Sequence, residues 1–418
     1  MNILVIGNGF DLTHGLPTKY WDFLMFIKCI KEHDSLYEIE KTSEFENLNN
    51  EIKNLIYNQA YRTSDNDNEL LEFIKLIENN VWINYFIDKI QDKDKNKGWI
   101  DFELEISQVI KSLDYLQNYN KRCFKNPSNS KLEDTELYEE AWEFLEKMKN
   151  KNIIDNDSKL NGDEFYDNTA KQIIDELNNQ LNNLIRCLEI YLEEFVGKIK
   201  INYTSPDIFD ISQMDKGIDK VLSFNYTKTY ENEYDLTKGR VKYDYIHGKA
   251  YAKRKKEENN MVLGIDEYLE NDKKDKELDF IQFKKYFQRI YKKTGCEYRK
   301  WIEEIKNEYD EFQRTQSLYE DLKNLDDGVD NMSLGAKDIL ENKGEEHNIY
   351  IFGHSLDVTD KDILKELIML PRTTTTIYYY NDEAYKQYIV NLVKLIGQDE
   401  LTDRVHGLNP KINFKKQR

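Results

Sequence analysis

Little in this sequence punctuates the chain. Across 418 residues it has 5 prolines, 17 glycines and 4 cysteines. Proline and glycine break helices and shape turns, so their scarcity excludes a loop-rich all-β architecture and favours long solvated helices. The cysteines, Cys29, Cys123, Cys187 and Cys296, are widely spaced and form no CxxC pair. That excludes a disulfide framework and a paired-cysteine zinc site. No apolar run approaches the ~18 residues a membrane helix needs. Met1-Asn2 lacks the basic segment of a signal peptide, and the first apolar run ends at Ile6. A cytoplasmic protein without membrane contact is expected. Excess positive charge is missing too: the net charge is -19, which repels a phosphate backbone and sets nucleic acid aside as a partner. The basic run Lys253-Arg254-Lys255-Lys256 meets Glu257 and Glu258 at once and reads as a solvated loop.

What is present supports a folded chain. Aromatic residues make up 13% of it, with 29 tyrosines, and the length suits two or three domains. Ile3-Leu4-Val5-Ile6, stopped by Gly7, has the continuous apolar character of a strand buried on both faces. Thr18 can then cap a helix carrying Tyr20, Phe23, Leu24 and Ile27 at helical spacing. Helical periodicity continues to about residue 200, with polar breaks near 63–68, 91–98 and 125–131. Strands follow at Lys220–Phe224 and Val241–Ile246, with a third candidate at Met261–Gly264. A second helical block at about 267–341 precedes strand Asn348–Phe352, helix 360–370, strand Thr374–Tyr380 and helix 382–397.

Strands alternating with helices imply a mainly parallel sheet with crossover connections. The expected fold is therefore α/β, a Rossmann-like, mainly parallel sheet interrupted by large helical insertions. Residues 1–35, 205–266 and 345–418 would form the discontinuous nucleotide-binding domain, 36–204 a helical domain and 267–344 a helical insertion.

In such a sheet ligands bind at the carboxyl ends of the strands. Four strand ends carry polar or glycine residues: Gly7-Asn8-Gly9-Phe10-Asp11, Phe224-Asn225-Tyr226-Thr227, His247-Gly248 and Gly353-His354-Ser355. Gly7 and Gly9 allow a tight turn and close approach to a ligand, although Leu12 breaks the full dinucleotide fingerprint. Asp11 would repel phosphate, which leaves it as a helix cap or a ribose acceptor. Asn225 reads either as a turn residue or as an amide holding a ribose hydroxyl or water. His247 suits a general base or a structural role. Asp357, Thr359, Asp360 and Asp362 supply capping and acidic residues to the helix after Ser355. Trp99-Ile100-Asp101-Phe102-Glu103 reads as an amphipathic helix entry or as a pair of functional acids. The chain has no GxSxG elbow, Walker loop or HExxH motif.

The block Gly-Asn-Gly-Phe-Asp-Leu-Thr-His-Gly-Leu-Pro-Thr at 7–18, Ser-Phe-Asn-Tyr-Thr at 223–227, His247-Gly248 and Gly-His-Ser-Leu-Asp at 353–357 resembles the bacteriophage abortive-infection AbiH family. That resemblance implies anti-phage defence, in which an infected cell stops growth or dies before phage release; a phage component is a candidate trigger. The order of these motifs is more distantly similar to sirtuin-like domains, which bind NAD on a Rossmann-type sheet. This second resemblance implies that Asn225 and His247 serve NAD cleavage and that Gly353 and Ser355 contact the nucleotide. The first turn departs from the sirtuin pattern at Asn8 and Asp11, and the zinc cysteines are missing. The missing cysteines suit a nucleotide hydrolase better than a protein deacylase.

The expectation is thus an effector that binds NAD or a related nucleotide and hydrolyses its N-glycosidic bond, with no metal. Its ligand-binding set is Gly7, Asn8, Gly9, Phe10, Asp11, Thr18, Thr227, Gly353, His354, Ser355, Asp357 and Asp360, and its catalytic pair is Asn225 and His247. The alternatives are a module sensing a nucleotide or phage component without turnover, and a metal-dependent nuclease using Asp11, Asp101 and Glu103. The long amphipathic helices suit self-association.

Overall fold

A strand that is apolar at every position must be covered on both faces. The computed structural model describes residues 1–31, 48, 50, 52–54, 68–92, 100–125, 131–150, 167–213, 217–235, 239–323 and 346–418. It places strand β1 at Asn2–Ile6, buried at all five positions. β2 (Lys220–Ser223), β3 (Lys242–Tyr245), β4 (His347–Phe352), β5 (Thr373–Tyr379) and β6 (Ile412–Lys416) complete a six-stranded sheet of order β3-β2-β1-β4-β5-β6. Every pairing is parallel. This is the expected Rossmann-like α/β sheet, and its strand order reverses between β1 and β4.

Side chains alternate across the sheet. Ile3 and Val5 join a core with Ile349, Ile351, Trp301, Ile305, Leu364 and Leu392. Leu4 and Ile6 join another with Phe10, Ile208, Val221, Tyr230 and Phe352. Helices Tyr298–Lys323, Lys361–Ile368 and Asp382–Ile396 thus cover one face, while Asn8–Thr13, Pro206–Ser212 and Thr229–Glu233 cover the other. Each fully buried aliphatic or aromatic side chain contributes about 1.5–3 kcal/mol.

The chain divides into two compact units. One comprises Met1–Leu16, Ile201–His247 and Thr294–Arg418, and holds the sheet. The other comprises Pro17–Lys200 and Gly248–Lys293, and its described elements are mainly helical. Among the described residues of the span 267–344, helix Lys285–Lys292 belongs to the helical unit and helix Tyr298–Lys323 packs on the sheet. Helix Tyr20–Lys31 also belongs to the helical unit. The polar breaks at 63–68, 91–98 and 125–131 lie largely outside the described residues, beside helix ends at Asp92 and Lys125.

Met261–Gly264 is not a strand. Met261, Val262 and Leu263 are buried, but the Gln288 side chain takes the place of a neighbouring strand. It accepts the Leu263 N–H at 3.1 Å and donates to the Leu263 carbonyl at 3.1 Å.

Candidate active site at the strand ends

The turns after β1 and β4 leave adjacent strands where the strand order reverses, and they meet backbone to backbone. The Gly7 amide donates to the Phe352 carbonyl at 3.2 Å and the Gly9 amide to the Gly353 carbonyl at 2.8 Å. Gly353 has φ 67°, and a Cβ there would lie 2.1 Å from the Phe10 nitrogen. A Cβ on Gly7 would lie 2.7 Å from the His354 Cα. Backbone approaching this closely leaves no room for a side chain. The amides of Gly7, Gly9 and Phe10 are all used inside the protein, the last on the Gly7 carbonyl at 2.8 Å.

Asp11 ties this turn to the loop after β2. It is 1% exposed, and its two oxygens accept the hydroxyls of Thr227 and Thr229, each at 2.6 Å. Burial pushes its carboxyl up to about 6, against the pull of the two hydroxyls. One turn later, His14 donates Nδ1–H to the Phe10 carbonyl at 2.7 Å, and the Tyr234 hydroxyl donates to His14 Nε2 at 2.6 Å. Burial holds the His14 pKa below its usual value, which favours the neutral ring this arrangement needs.

Asn225 follows β2 and is 5% exposed. Its Nδ2 donates to the Gly7 carbonyl at 2.9 Å, which fixes the amide's orientation, because a carbonyl accepts only from the NH₂. Oδ1 is then a buried acceptor with no hydrogen-bond partner in the protein. Such a group costs about 1–3 kcal/mol unless something donates to it. A hydroxyl, an amide or a water fits; a phosphate oxygen does not.

His247 ends the segment after β3 and His354 the segment after β4. Both are buried, and both point Nε2 at one carboxylate: His247 lies 3.7 Å from Asp360 Oδ1 and His354 3.4 Å from Asp360 Oδ2. The Phe224 ring packs edge-on against both, with centroids 5.7 Å from His247 and 4.3 Å from His354. Tyr226 lies 6.3 Å from the His247 ring. The residues on either side of Asn225 therefore both bring their rings near His247.

A model of the family described as bacteriophage abortive infection AbiH matches residues 3–381. The chain belongs to the AbiH family. No curated protein and no solved structure matches it. The matched span starts in β1 and ends at Asn381, the N-cap of helix Asp382–Ile396, so every strand-end residue described above lies within it.

The remaining expected residues of this AbiH-family chain are placed as follows. Phe10 is fully buried in the core, with its ring edge-on to Phe352. Asn8, Ser355 and Asp357 are exposed, and Asp357 Oδ1 accepts the Thr359 N–H at 3.1 Å. Thr18 belongs to the helical unit. Trp99 lies outside the described residues. Asp101 is a cap: its Oδ1 accepts the Leu104 N–H at 3.1 Å. Glu103 pairs at 2.6 Å with the buried Lys285. Phe102, between the two acids, stacks on Phe86 and Tyr20 at 4.1 and 4.2 Å. Among the described residues no group of three His, Cys, Asp or Glu side chains is arranged to hold a metal ion, and no helix is long and apolar enough to cross a membrane. Sequence reasoning missed Thr229 and His14. The four-residue spacing of Phe10 and His14, the residue that follows helix Asn8–Thr13, is the signal available for the second.

Proposed function

We propose that this AbiH-family chain serves abortive infection by binding NAD, or a related nucleotide, over the carboxyl ends of β1 to β4 and hydrolysing its N-glycosidic bond. The observation that carries this reading is the buried, unpartnered Asn225 Oδ1, flanked in the chain by Phe224 and Tyr226, whose rings both lie near a histidine that itself lies against a carboxylate. A ribose hydroxyl or the attacking water supplies the donor that Oδ1 needs. In the reaction, water oxygen bonds to the anomeric carbon as the carbon–nitrogen bond breaks. The bond electrons go to the pyridinium nitrogen and neutralise it, so the leaving group needs no proton. The water proton passes to the His247 imidazole, the side chain whose ordinary pKa suits that task.

The strand order supports a nucleotide at this place, since a doubly wound sheet opens its ligand crevice where the order reverses. With the Gly7, Gly9 and Phe10 amides engaged, this turn supports recognition of a hydroxyl-rich ribose better than a phosphate cradle. The nuclease alternative draws no support from Asp101 and Glu103, which serve as a cap and an ion-pair partner. Calorimetric titration with NAD, ADP-ribose and ATP, run beside a nicotinamide-release assay, tests the proposal. A tight complex without turnover, unaffected by His247→Ala, would instead identify a sensing module.

A further inference from the structure

Asp360 stands at the N-cap of helix Lys361–Ile368, where an aspartate ordinarily accepts a helix amide. Here its side chain makes no such bond. Its carboxylate faces Nε2 of His247 and Nε2 of His354 instead, at 3.7 and 3.4 Å. The His354 tautomer follows from its other nitrogen. Nδ1 accepts the Leu356 N–H at 3.0 Å, so in the neutral ring the proton sits on Nε2, toward Asp360. Leu356, buried and not glycine, is held at φ 57° to present that amide. A left-handed backbone costs about 1 kcal/mol or more in such a residue and persists only where its surroundings impose it. The Phe224 ring wedged against both imidazoles restricts their rotation.

We propose that Asp360 is the positioning residue of the site: anchored on one oxygen by His354, its carboxylate orients the His247 imidazole with Nε2–H toward it, so that Nδ1 is the nitrogen that takes the proton. The inference rests on the hydrolytic reading for its chemical purpose. The geometry of Asp360 is independent of what the substrate is. His354 is then part of the support for the base, and the aspartate contributes by direction and charge without touching substrate, much as a carboxylate fixes the tautomer of a catalytic histidine elsewhere.

The test uses the full-length chain labelled with ¹⁵N-histidine, with the His247 signals assigned by their loss in His247→Gln. The ¹⁵N shifts in the wild type are expected to show His247 protonated on Nε2. In Asp360→Asn that signature should shift toward a mixture of tautomers, and in His354→Gln it should shift less in the same direction. Where NAD is turned over, Asp360→Asn should lower kcat roughly 10²–10⁴-fold, the range for losing a correctly held general base, with KM changed by less than about threefold. An Nδ1-protonated His247 in the wild type, or a His247 signature unchanged in the variants, overturns the proposal. His354→Gln decides the matter if Asp360→Asn does not fold. A wild-type chain that leaves NAD intact would defeat the hydrolytic reading, and the nitrogen signature would still decide the role of Asp360.

Discussion

Replacing Gly353 with alanine tests how the two central turns are held together. The residue sits at φ 67°, and an alanine held there carries about 1–2 kcal/mol of left-handed strain. Its methyl carbon would also lie 2.1 Å from the Phe10 nitrogen and 2.5 Å from the Gly9 carbonyl carbon. Both neighbours are backbone and cannot rotate away, so overpacking adds about 1–3 kcal/mol. Separating the turns would further weaken the 2.8 Å bond from the Gly9 amide to the Gly353 carbonyl, worth about 1 kcal/mol. The sum, about 3–6 kcal/mol, is a large part of the total stability of a domain. For a unit of roughly 190 residues it lowers Tm by roughly 6–24 °C. Gly15→Ala is the internal control. Gly15 has a similar φ of 75°, yet nothing lies within 4 Å of its added Cβ, so it should lose only the strain. Differential scanning calorimetry of the two variants separates packing from backbone conformation. A Gly353→Ala protein melting within 2 °C of Gly15→Ala would refute the packed-turn reasoning.

Three further substitutions test acidic side chains. Asp11, with a folded pKa of about 6 against an ordinary 3.8, takes up a proton on folding between those values. Its contribution to stability is complete below about pH 4 and is lost as pH rises through 6, a swing of about 3 kcal/mol. Urea midpoints measured at pH 5 and 7.5 should therefore fall more in the wild type than in Asp11→Asn; equal falls would contradict the burial argument. Glu103→Ala leaves Lys285 buried without its nearest carboxylate and should cost about 3 kcal/mol or more. Asp101→Ala removes only a cap, at about 1 kcal/mol. The same denaturation series ranks the two, and the reverse order, or a stabilisation of the wild type by manganese that both variants lose, would restore these acids as metal ligands.

How much of this was legible depended on where each residue's partners lie in the chain. The first strand was readable because burial on both faces demands an unbroken apolar run, and Ile3 to Ile6 supply one. β6 was not: in Ile412–Lys416 only Ile412 is buried, and an edge strand needs few apolar residues to pair with β5. Met261–Leu263 misled for the opposite reason. It is buried as a central strand would be, but side chains satisfy backbone groups there: Gln288, 25 residues away, bonds both the N–H and the carbonyl of Leu263, and Asn259 and Lys292 bond those of Met261. Asn225 and His247 are legible as polar residues at the ends of two strands, and those strands, β2 and β3, are neighbours in the sheet. Asp11 was recognised as unsuited to phosphate, yet its real partners, Thr227 and Thr229, lie more than two hundred residues downstream. Local sequence made Asp360 a cap. Only the fold shows its carboxylate turned to two histidines that are far apart in the chain.

The most direct test of the central claim is NAD consumption by the purified chain, with nicotinamide release followed beside the Asn225→Ala and His247→Ala variants in the presence of extract from phage-infected cells. The account predicts release by the wild type and a fall of roughly 10²–10⁴-fold in each folded variant. NAD and related nucleotides left intact by the wild type, or consumed equally by all three proteins, would contradict it.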